Sequence, residues 1–260
     1  MAEAQALGYA EADPTFDVEG IDAAHKLTIL ASIAFGIPLQ FEKIYTEGIS
    51  RITPQDIRYA DELGYRIKHL GIARRTPEGI ELRVHPTFID EDSLLANVNG
   101  VMNAVMVNGN PVGSTLYYGA GAGASPTASA VVADIIDVAR MISSPESSVP
   151  ALAFQDDRLS DSPILPMSGV ESAYYLRITA QDKAGVLSDI TEILGDLNIN
   201  IEAIIQKEPR GADAESSRVP VIILTHEVRE GLMMDAITRI ESLEAVTEKV
   251  MLVRVFRFSE

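Results

Sequence analysis

Three charged residues near the start of the chain have types and spacing suited to proton transfer. Asp22 and Lys26 are four residues apart, so on a helix they share one face. Glu11 precedes them in the run GYAEADPTFDVEGIDAAHK, which extends from Gly8 to Lys26. Desolvation in an apolar pocket lowers the pKa of a lysine and favours proton transfer, whereas nearby carboxylates raise it. The alternative interpretation is a solvated Asp–Lys ion pair with no catalytic role.

The element that must position this pair is a helix. Apolar residues recur at spacings of three and four between Gly20 and Phe35, and Gly36 followed by Pro38 predicts its end. The helix is apolar on most sides of the lysine, which predicts a partly apolar pocket there. The apolar neighbours are Leu27, Ile29 and Leu30.

A second helix and two β-hairpins follow along the chain. Thr53-Pro54 has the residue types of an N-cap and a first helical turn, and this helix is predicted to end near Gly64. The turn tripeptide Pro77-Glu78-Gly79 separates two β-rich runs, and Asn108-Gly109-Asn110-Pro111 separates two more. We therefore predict a two-hairpin sheet over residues 65–118, with edges and one apolar face that must be covered.

A Gly/Ala-rich segment, GAGAGASPTASA, occupies residues 119–130 and leads into the helical run VVADIIDVARMI. Its glycines would permit close approach of the backbone to a ligand, and Pro126 suits the start of the helix. A flexible linker is the alternative, and the composition of the segment leaves both interpretations open.

A boundary between domains is indicated by the Ser-, Pro- and Asp-rich residues 143–169. The pattern after it is strand, helix, strand, strand, helix, strand over about 90 residues, which predicts a ferredoxin-like module. Both of its helices should lie on one face of a four-stranded antiparallel sheet. The expected fold class is α+β: a mixed-sheet substrate or catalytic domain with helices on one face, followed by this βαββαβ module.

Composition excludes several classes of protein. The 260 residues have a formal net charge of -17 at pH 7, which disfavours nucleic acid as a partner. The absence of cysteine excludes disulfides and zinc–thiolate sites, and the four histidines lack the spacing of metal ligands, so no metal site is expected. No signal peptide or membrane-length apolar run is visible, so we expect a cytoplasmic protein. Neither GxGxxG nor GxxxxGK[ST] occurs.

The run from Gly8 to Lys26 resembles the signature of homoserine dehydrogenases. The Gly/Ala-rich segment begins with Gly119 to Gly123, and its Pro126 and Thr127 open the next helix. This segment resembles the part that in this family returns to the cofactor domain. Residues 174–258 resemble the ACT module that many bacterial members carry. Both motifs and the module occur in the order of the family, so the resemblance covers nearly the whole chain.

The resemblance implies a role for each motif residue. Lys26 would be the proton donor and acceptor on the substrate oxygen, and the carboxylates of Glu11 and Asp22 would bind the substrate through its ammonium group. The backbone at Gly8 and Gly123 would approach the NAD(P) cofactor. His25 lies beside the lysine on another helix face and is interpreted as packed or solvated.

The implied reaction interconverts L-homoserine and L-aspartate 4-semialdehyde in threonine, methionine and isoleucine biosynthesis. The choice between NAD and NADP is left open. Members of the family begin with a Rossmann domain that carries GxGxxG, and this motif is missing here. The chain is therefore expected to be a C-terminal portion that is inactive alone. The alternative is a non-catalytic amino-acid-binding module with a regulatory or assembly role.

The resemblance also implies a domain plan and a regulatory site. We expect a catalytic and dimerisation domain over residues 1–142, whose residues 124–142 return to the cofactor domain, a linker over 143–170, and an ACT domain over 171–260. An amino-acid effector, L-threonine for this pathway, would bind between the first loop of the ACT domain and the start of its second strand, across at least a dimer. A ligand-free helix start is the alternative. The predicted effector-binding residues are Asp182, Gly185, Val186, Asn198 and Ile199.

Overall fold

The computed structural model describes residues 13–143, 149–150, 152–206 and 218–258. Residues 1–12, which include Gly8 and Glu11, lie outside these ranges. Within them, no helix is long and apolar enough to cross a membrane. The helices are α1 (Thr15–Val18), α2 (Ile21–Phe35), α3 (Pro54–Glu62), α4 (Ala124–Ser143), α5 (Val186–Asp196) and α6 (Glu230–Glu241). The strands are β1 (Tyr45–Thr46), β2 (Tyr65–Arg75), β3 (Ile80–Asp90), β4 (Met102–Gly109), β5 (Gly113–Ala120), β6 (Glu171–Gln181), β7 (Ile201–Gln206), β8 (Arg218–Thr225), β9 (Val228–Arg229) and β10 (Met251–Val255).

Both predicted helices of the first domain begin and end at the predicted signals. Helix α2 lies between Gly20 and Gly36, two glycines in the left-handed conformation. Helix α3 begins after Thr53, whose hydroxyl accepts a hydrogen bond from the Asp56 backbone, while the Asp56 carboxylate accepts one from the Thr53 backbone. This capping box satisfies two of the backbone groups that a helix start leaves without partners.

Strand β3 pairs with other strands along both of its edges, and ten of its eleven residues are buried. Strand β2 pairs antiparallel along one edge of β3, as the predicted hairpin requires. Three segments share the other edge: Ile164 beside Ile80, β1 at Arg83 and Val84, and β10 at Thr87 and Phe88, all parallel to β3. The predicted linker is thus attached to the sheet near residue 164.

The ACT region has the predicted ferredoxin-like arrangement. Its strands lie in the order β10-β6-β8-β7, and all three pairings are antiparallel. Alternate residues of β6 contact opposite cores: Tyr174 and Leu176 pack with α5 and α6, while Ala173 and Tyr175 pack with α3. The second of these cores also contains Phe88 of β3, so the two regions share buried apolar surface.

Two helices of the first domain, α2 and α3, lie on one face of the sheet. Leu82 and Val84 of β3 pack against α2, and Phe88, which points to the same side, packs against α3. The sheet is mixed, as expected. A difference from the prediction is that β10 joins β3, so the two regions form one continuous sheet of eight strands.

The prediction of one sheet across residues 65–118 is wrong. Strands β4 and β5 form a separate two-stranded sheet, here called the ribbon, while β2 and β3 belong to the large sheet. The alternation of apolar and polar residues in the sequence could not show this. The edge of β3 that the second hairpin would occupy is paired with β10, which comes more than a hundred residues later in the chain. Helix α4 follows the ribbon, and all 20 of its residues are exposed.

Candidate functional site

The candidate site is built on the first two turns of α2. Gly20, the N-cap, has φ of 77°, a conformation in which glycine meets no Cβ penalty. A Cβ at this position would lie 2.7 Å from Cε1 of His69 on β2. Glycine is therefore required both by the backbone conformation and by the contact with His69, which fixes the start of the helix against the sheet.

The Asp22 and Lys26 side chains meet as their spacing predicts. The Lys26 Nζ donates a hydrogen bond to Asp22 Oδ2 at 2.5 Å. The lysine side chain is 66% exposed and the aspartate 37% exposed. Asp22 lies in the first turn of the helix, where the helix dipole favours a carboxylate. Within the described residues, Asp22 Oδ1 accepts no hydrogen bond.

The apolar pocket predicted around Lys26 is not formed by the described residues. Leu27 is buried against the sheet, but Ile29 and Leu30 are 48% and 43% exposed on the outer side of the helix. The spacing of apolar residues predicted the helix correctly but could not tell which of them face the core. The exposed apolar side chains instead lie beside the lysine on an open helix face.

The His25 ring stacks on two aromatic rings, but the residue remains exposed, so both of the interpretations given above apply. Its ring stacks on Phe41 with centroids 4.0 Å apart and on Phe16 with centroids 5.8 Å apart. Sequence reasoning missed both phenylalanines, because their contact with His25 depends on how α1 and the turn at residues 41–43 fold back on α2. The stack holds α1 against the helix that carries Lys26.

Two of the residues implied as ligands, Gly8 and Glu11, lie outside the described residues. Gly123 precedes α4 with φ of 121°, and no hydrogen bond or ion pair of the described residues joins it to α2. The spacing Gly119-x-Gly121-x-x-Ala124 between β5 and α4 is that of a dinucleotide-binding turn with alanine in its last position. However, β5 belongs to an antiparallel ribbon and not to a βαβ unit, so the described residues do not form a dinucleotide-binding turn of this kind.

The five predicted effector-binding residues fall into two groups at opposite ends of α5. Asp182 and Gly185 form the exposed turn before the helix, and a Cβ at Gly185 would meet open space. Val186 is the first helical residue and is 8% exposed. Asn198 and Ile199 follow the helix, in a turn rather than in the second strand, which begins at Ile201. An 11-residue helix separates the groups by about 16 Å.

Other candidates have structural explanations. The described residues contain no group of three or more side chains that could hold a metal ion. The amide of Asn97 donates to the Glu91 and Ser93 carbonyls, and Asn99 accepts a hydrogen bond from Lys68. These contacts stabilise the turn before β4.

Comparison with known proteins agrees with this architecture. A family model described as homoserine dehydrogenase matches residues 1–136, more than half of the chain. The chain belongs to the homoserine dehydrogenase family. A model of the ACT domain matches residues 174–242, which contain most of β6 and all of α5, β7, β8, β9 and α6. The α+β fold with a C-terminal ACT domain is thereby confirmed.

Named relatives of the homoserine dehydrogenase family align over nearly all of this chain. A homoserine dehydrogenase from Pseudomonas aeruginosa is 67% identical and one from Neisseria gonorrhoeae 54% identical, each over 256 residues. The crystal structure of a homoserine dehydrogenase from Thiobacillus denitrificans superposes with a TM-score of 0.90 at 62% identity and covers 98% of this chain. The chain spans 58% of the length of the two curated relatives and 57% of that structure.

Proposed function

We propose that this chain supplies the substrate-binding and proton-transfer part of a homoserine dehydrogenase. The substrate pair is L-homoserine and L-aspartate 4-semialdehyde, within threonine, methionine and isoleucine biosynthesis. The observation that carries the proposal is the Asp22–Lys26 pair on α2, which combines the residue types of the family signature with a 2.5 Å hydrogen bond.

Each side chain has a step that it can perform. During reduction, Lys26 Nζ gives a proton to the aldehyde oxygen, and during oxidation it takes the hydroxyl proton back. Asp22 Oδ2 fixes the direction of Nζ, which leaves Oδ1 for the substrate ammonium. Glu11 is proposed as the second carboxylate for that ammonium. NAD(P), when bound, would supply or accept the hydride, and Gly8 and Gly123 are proposed to contact it.

We also propose that the ACT domain binds L-threonine as a feedback effector. The two groups of effector-binding residues are separated by the length of α5, so one chain cannot close both around a small amino acid. A second ACT domain, placing its Asn198 and Ile199 beside Asp182 and Gly185 of the first, would complete the site. Titration calorimetry with threonine, serine and isoleucine tests this, and no heat of binding with any of them would contradict it.

The catalytic assignment is tested by substitution of Lys26 when a cofactor-binding half of a homoserine dehydrogenase is supplied in cis or in trans. That half is needed because the chain contains no GxGxxG turn. Loss of one positioned proton-transfer group lowers kcat by about 10²–10⁴-fold, so Lys26→Ala should reduce turnover of homoserine to that extent. Stopped-flow absorbance of the reduced nicotinamide measures the rate.

Lys43→Ala is the matched control, because Lys43 is also exposed and hydrogen-bonded to a neighbouring side chain, Gln40. It should leave kcat unchanged. Full activity of Lys26→Ala would show that the lysine is not the proton-transfer group. Absence of activity in every complemented sample, with threonine binding retained, would favour a non-catalytic amino-acid-binding module instead.

A further inference from the structure

A buried arginine of the last ACT strand reaches into the first domain. Arg254 on β10 is 2% exposed. Its Nε donates to Glu230 Oε2 at 2.9 Å, and its Nη2 pairs with Glu230 Oε1. Its Nη1 donates to Glu47 Oε2 at 2.8 Å, and Nη2 also donates to the Tyr45 hydroxyl at 3.1 Å. One guanidinium thus binds a carboxylate from each region.

The environment makes these bonds strong. Burial lowers the pKa of Arg254, but the hydrogen bonds and charge of Glu230 outweigh burial and raise it above its ordinary value. Glu230 is 4% exposed, is the first residue of α6, and also accepts a hydrogen bond from the Tyr174 hydroxyl. Loss of one partner from such a buried group leaves the others uncompensated, so the geometry of the cluster is tightly specified.

On the other side, Glu47 is tied to the start of α2. Its carbonyl oxygen accepts a hydrogen bond from His69 Nε2 at 2.9 Å, and the His69 ring packs against Gly20. The next residues continue the contact, since the Ile49 amide donates to the Val18 carbonyl at 2.9 Å and Ser50 donates to the Glu19 carboxylate. The segment from Glu47 to Ser50 therefore supports the residues that lead directly into α2.

We propose that Glu47 is a positioning residue for the Asp22–Lys26 pair and that the Glu47–Arg254 ion pair carries the influence of the ACT domain to it. Arg254 lies between the N-terminus of α6 and Glu47. Glu47 in turn contacts His69, and His69 contacts Gly20, the N-cap of α2. A shift of β10 or α6 moves Glu47 and, through His69 and residues 18–20, the first turn of α2. The proposal rests on the proposed function, which gives the pair its catalytic role and the ACT domain its effector.

A second buried ion pair provides a matched control. Asp56 of α3 is fully buried and accepts hydrogen bonds from Arg177 Nε at 2.7 Å and from the Tyr175 hydroxyl at 3.2 Å. It joins the same two regions across the opposite face of the sheet. It belongs to α3, however, and supports no residue of the segment that leads into α2.

The first experiment needs no ligand. Hydrogen exchange of the 260-residue chain is followed by mass spectrometry in peptides covering residues 18–30. Glu47→Gln should raise exchange there by about tenfold, because a charge-assisted hydrogen bond that holds the segment is lost. Asp56→Asn should leave this peptide unchanged, although it lowers thermal stability. Equal acceleration in both variants, or none in Glu47→Gln, would overturn the proposal.

Arg254→Lys tests the same contact from the ACT side, since lysine keeps the charge but cannot hold two carboxylates with one planar fork. It should accelerate exchange in residues 18–30 as Glu47→Gln does, and the double variant should add nothing further. Additive effects would mean that the two residues act on the helix independently, which contradicts a shared route.

The second experiment adds L-threonine, with binding measured by calorimetry on the same samples. Wild-type chain should bind threonine and change its exchange in residues 18–30, whereas Glu47→Gln should bind it with that change lost and Asp56→Asn should retain the change. Binding without any change in the wild type would overturn transmission through Glu47. No binding at all would refute the effector assignment instead, and the ligand-free comparison would still decide whether Glu47 positions the helix.

Discussion

At the scale of single residues, strand β3 carries polar side chains that are buried, in contrast to the exposed Asp22–Lys26 pair. Arg83 and His85 point to the face of the sheet that α5 and α6 cover in the ACT region, and neither side chain reaches solvent. Burial, followed by the charges of Arg254 and Arg83, holds the pKa of the His85 ring well below its usual range. The folded protein thus keeps an uncharged imidazole among two guanidinium groups.

This arrangement predicts stability that depends on pH. The unfolded chain takes up a proton on His85 near pH 6.5, whereas the folded chain does not, so acid favours unfolding. The contribution of His85 to the free energy of unfolding should be fully present above that pH and fall by about 1.4 kcal/mol for each unit below it, until the ring titrates in the folded state. Burial also lowers the pKa of His69, so His69 adds to the wild-type slope in the same direction. Urea unfolding of wild type between about pH 5.5 and pH 7.5 measures this slope.

The variant His85→Asn removes the titrating ring but keeps a polar group near the Thr87 hydroxyl. Its stability should depend less on pH than that of the wild type. Identical slopes in wild type and His85→Asn would show that the ring does not carry the effect.

At the scale of elements, local signals in the sequence were sufficient for helices and hairpins. Gly20 and Gly36 defined α2, and Pro77-Glu78-Gly79 defined the β2–β3 turn, because caps and turns depend on a few adjacent residues. Pairing of β10 with β3 and the two-residue strand β1 could not be predicted, since both depend on contacts between residues far apart in sequence. The α2 site pair followed from its spacing, but its exposure did not.

Gly20 and Gly64 allow the packing at the start of α2 to be measured. Both have a positive φ, 77° and 79°, but a Cβ at Gly64 meets nothing within 4 Å, whereas one at Gly20 would meet His69. Gly64→Ala should cost about 1 kcal/mol through backbone strain alone, and Gly20→Ala about 1–3 kcal/mol more through overpacking. Thermal or urea unfolding compares the two variants. Equal losses of unfolding free energy would show that the His69 side chain moves aside without an energetic penalty.

At the scale of the whole molecule, the ribbon and α4 are exposed elements that no other described residues cover. Val105, Val107 and Tyr117 are 41%, 46% and 68% exposed on one face of the ribbon. An isolated pair of strands is marginally stable in water, and exposed apolar faces of this kind mark association sites. We therefore expect at least a dimer, now on the basis of the ribbon and not of a sheet over residues 65–118.

Light scattering should find a dimer or larger assembly at micromolar concentration, and Val107→Asp should shift it towards the monomer by placing a charge on the ribbon face. Leu94→Asp is the control, because Leu94 is an equally accessible apolar residue, 64% exposed, outside the ribbon. A wild-type monomer, or equal dissociation by both substitutions, would contradict association through the ribbon.

The pairing of Thr87 with Arg254 and of Phe88 with Val255 has a consequence for the growing chain. On the ribosome, β3 is made long before β10, the strand that completes part of its edge. Until β10 emerges, the part of the β3 edge that it pairs with has backbone groups without a partner strand. Contacts between residues far apart in sequence form slowly, and an edge that stays open meanwhile is exposed to aggregation. Premature termination within the ACT domain should therefore leave a first domain that is incompletely folded and prone to aggregation, and not an independently folded catalytic unit.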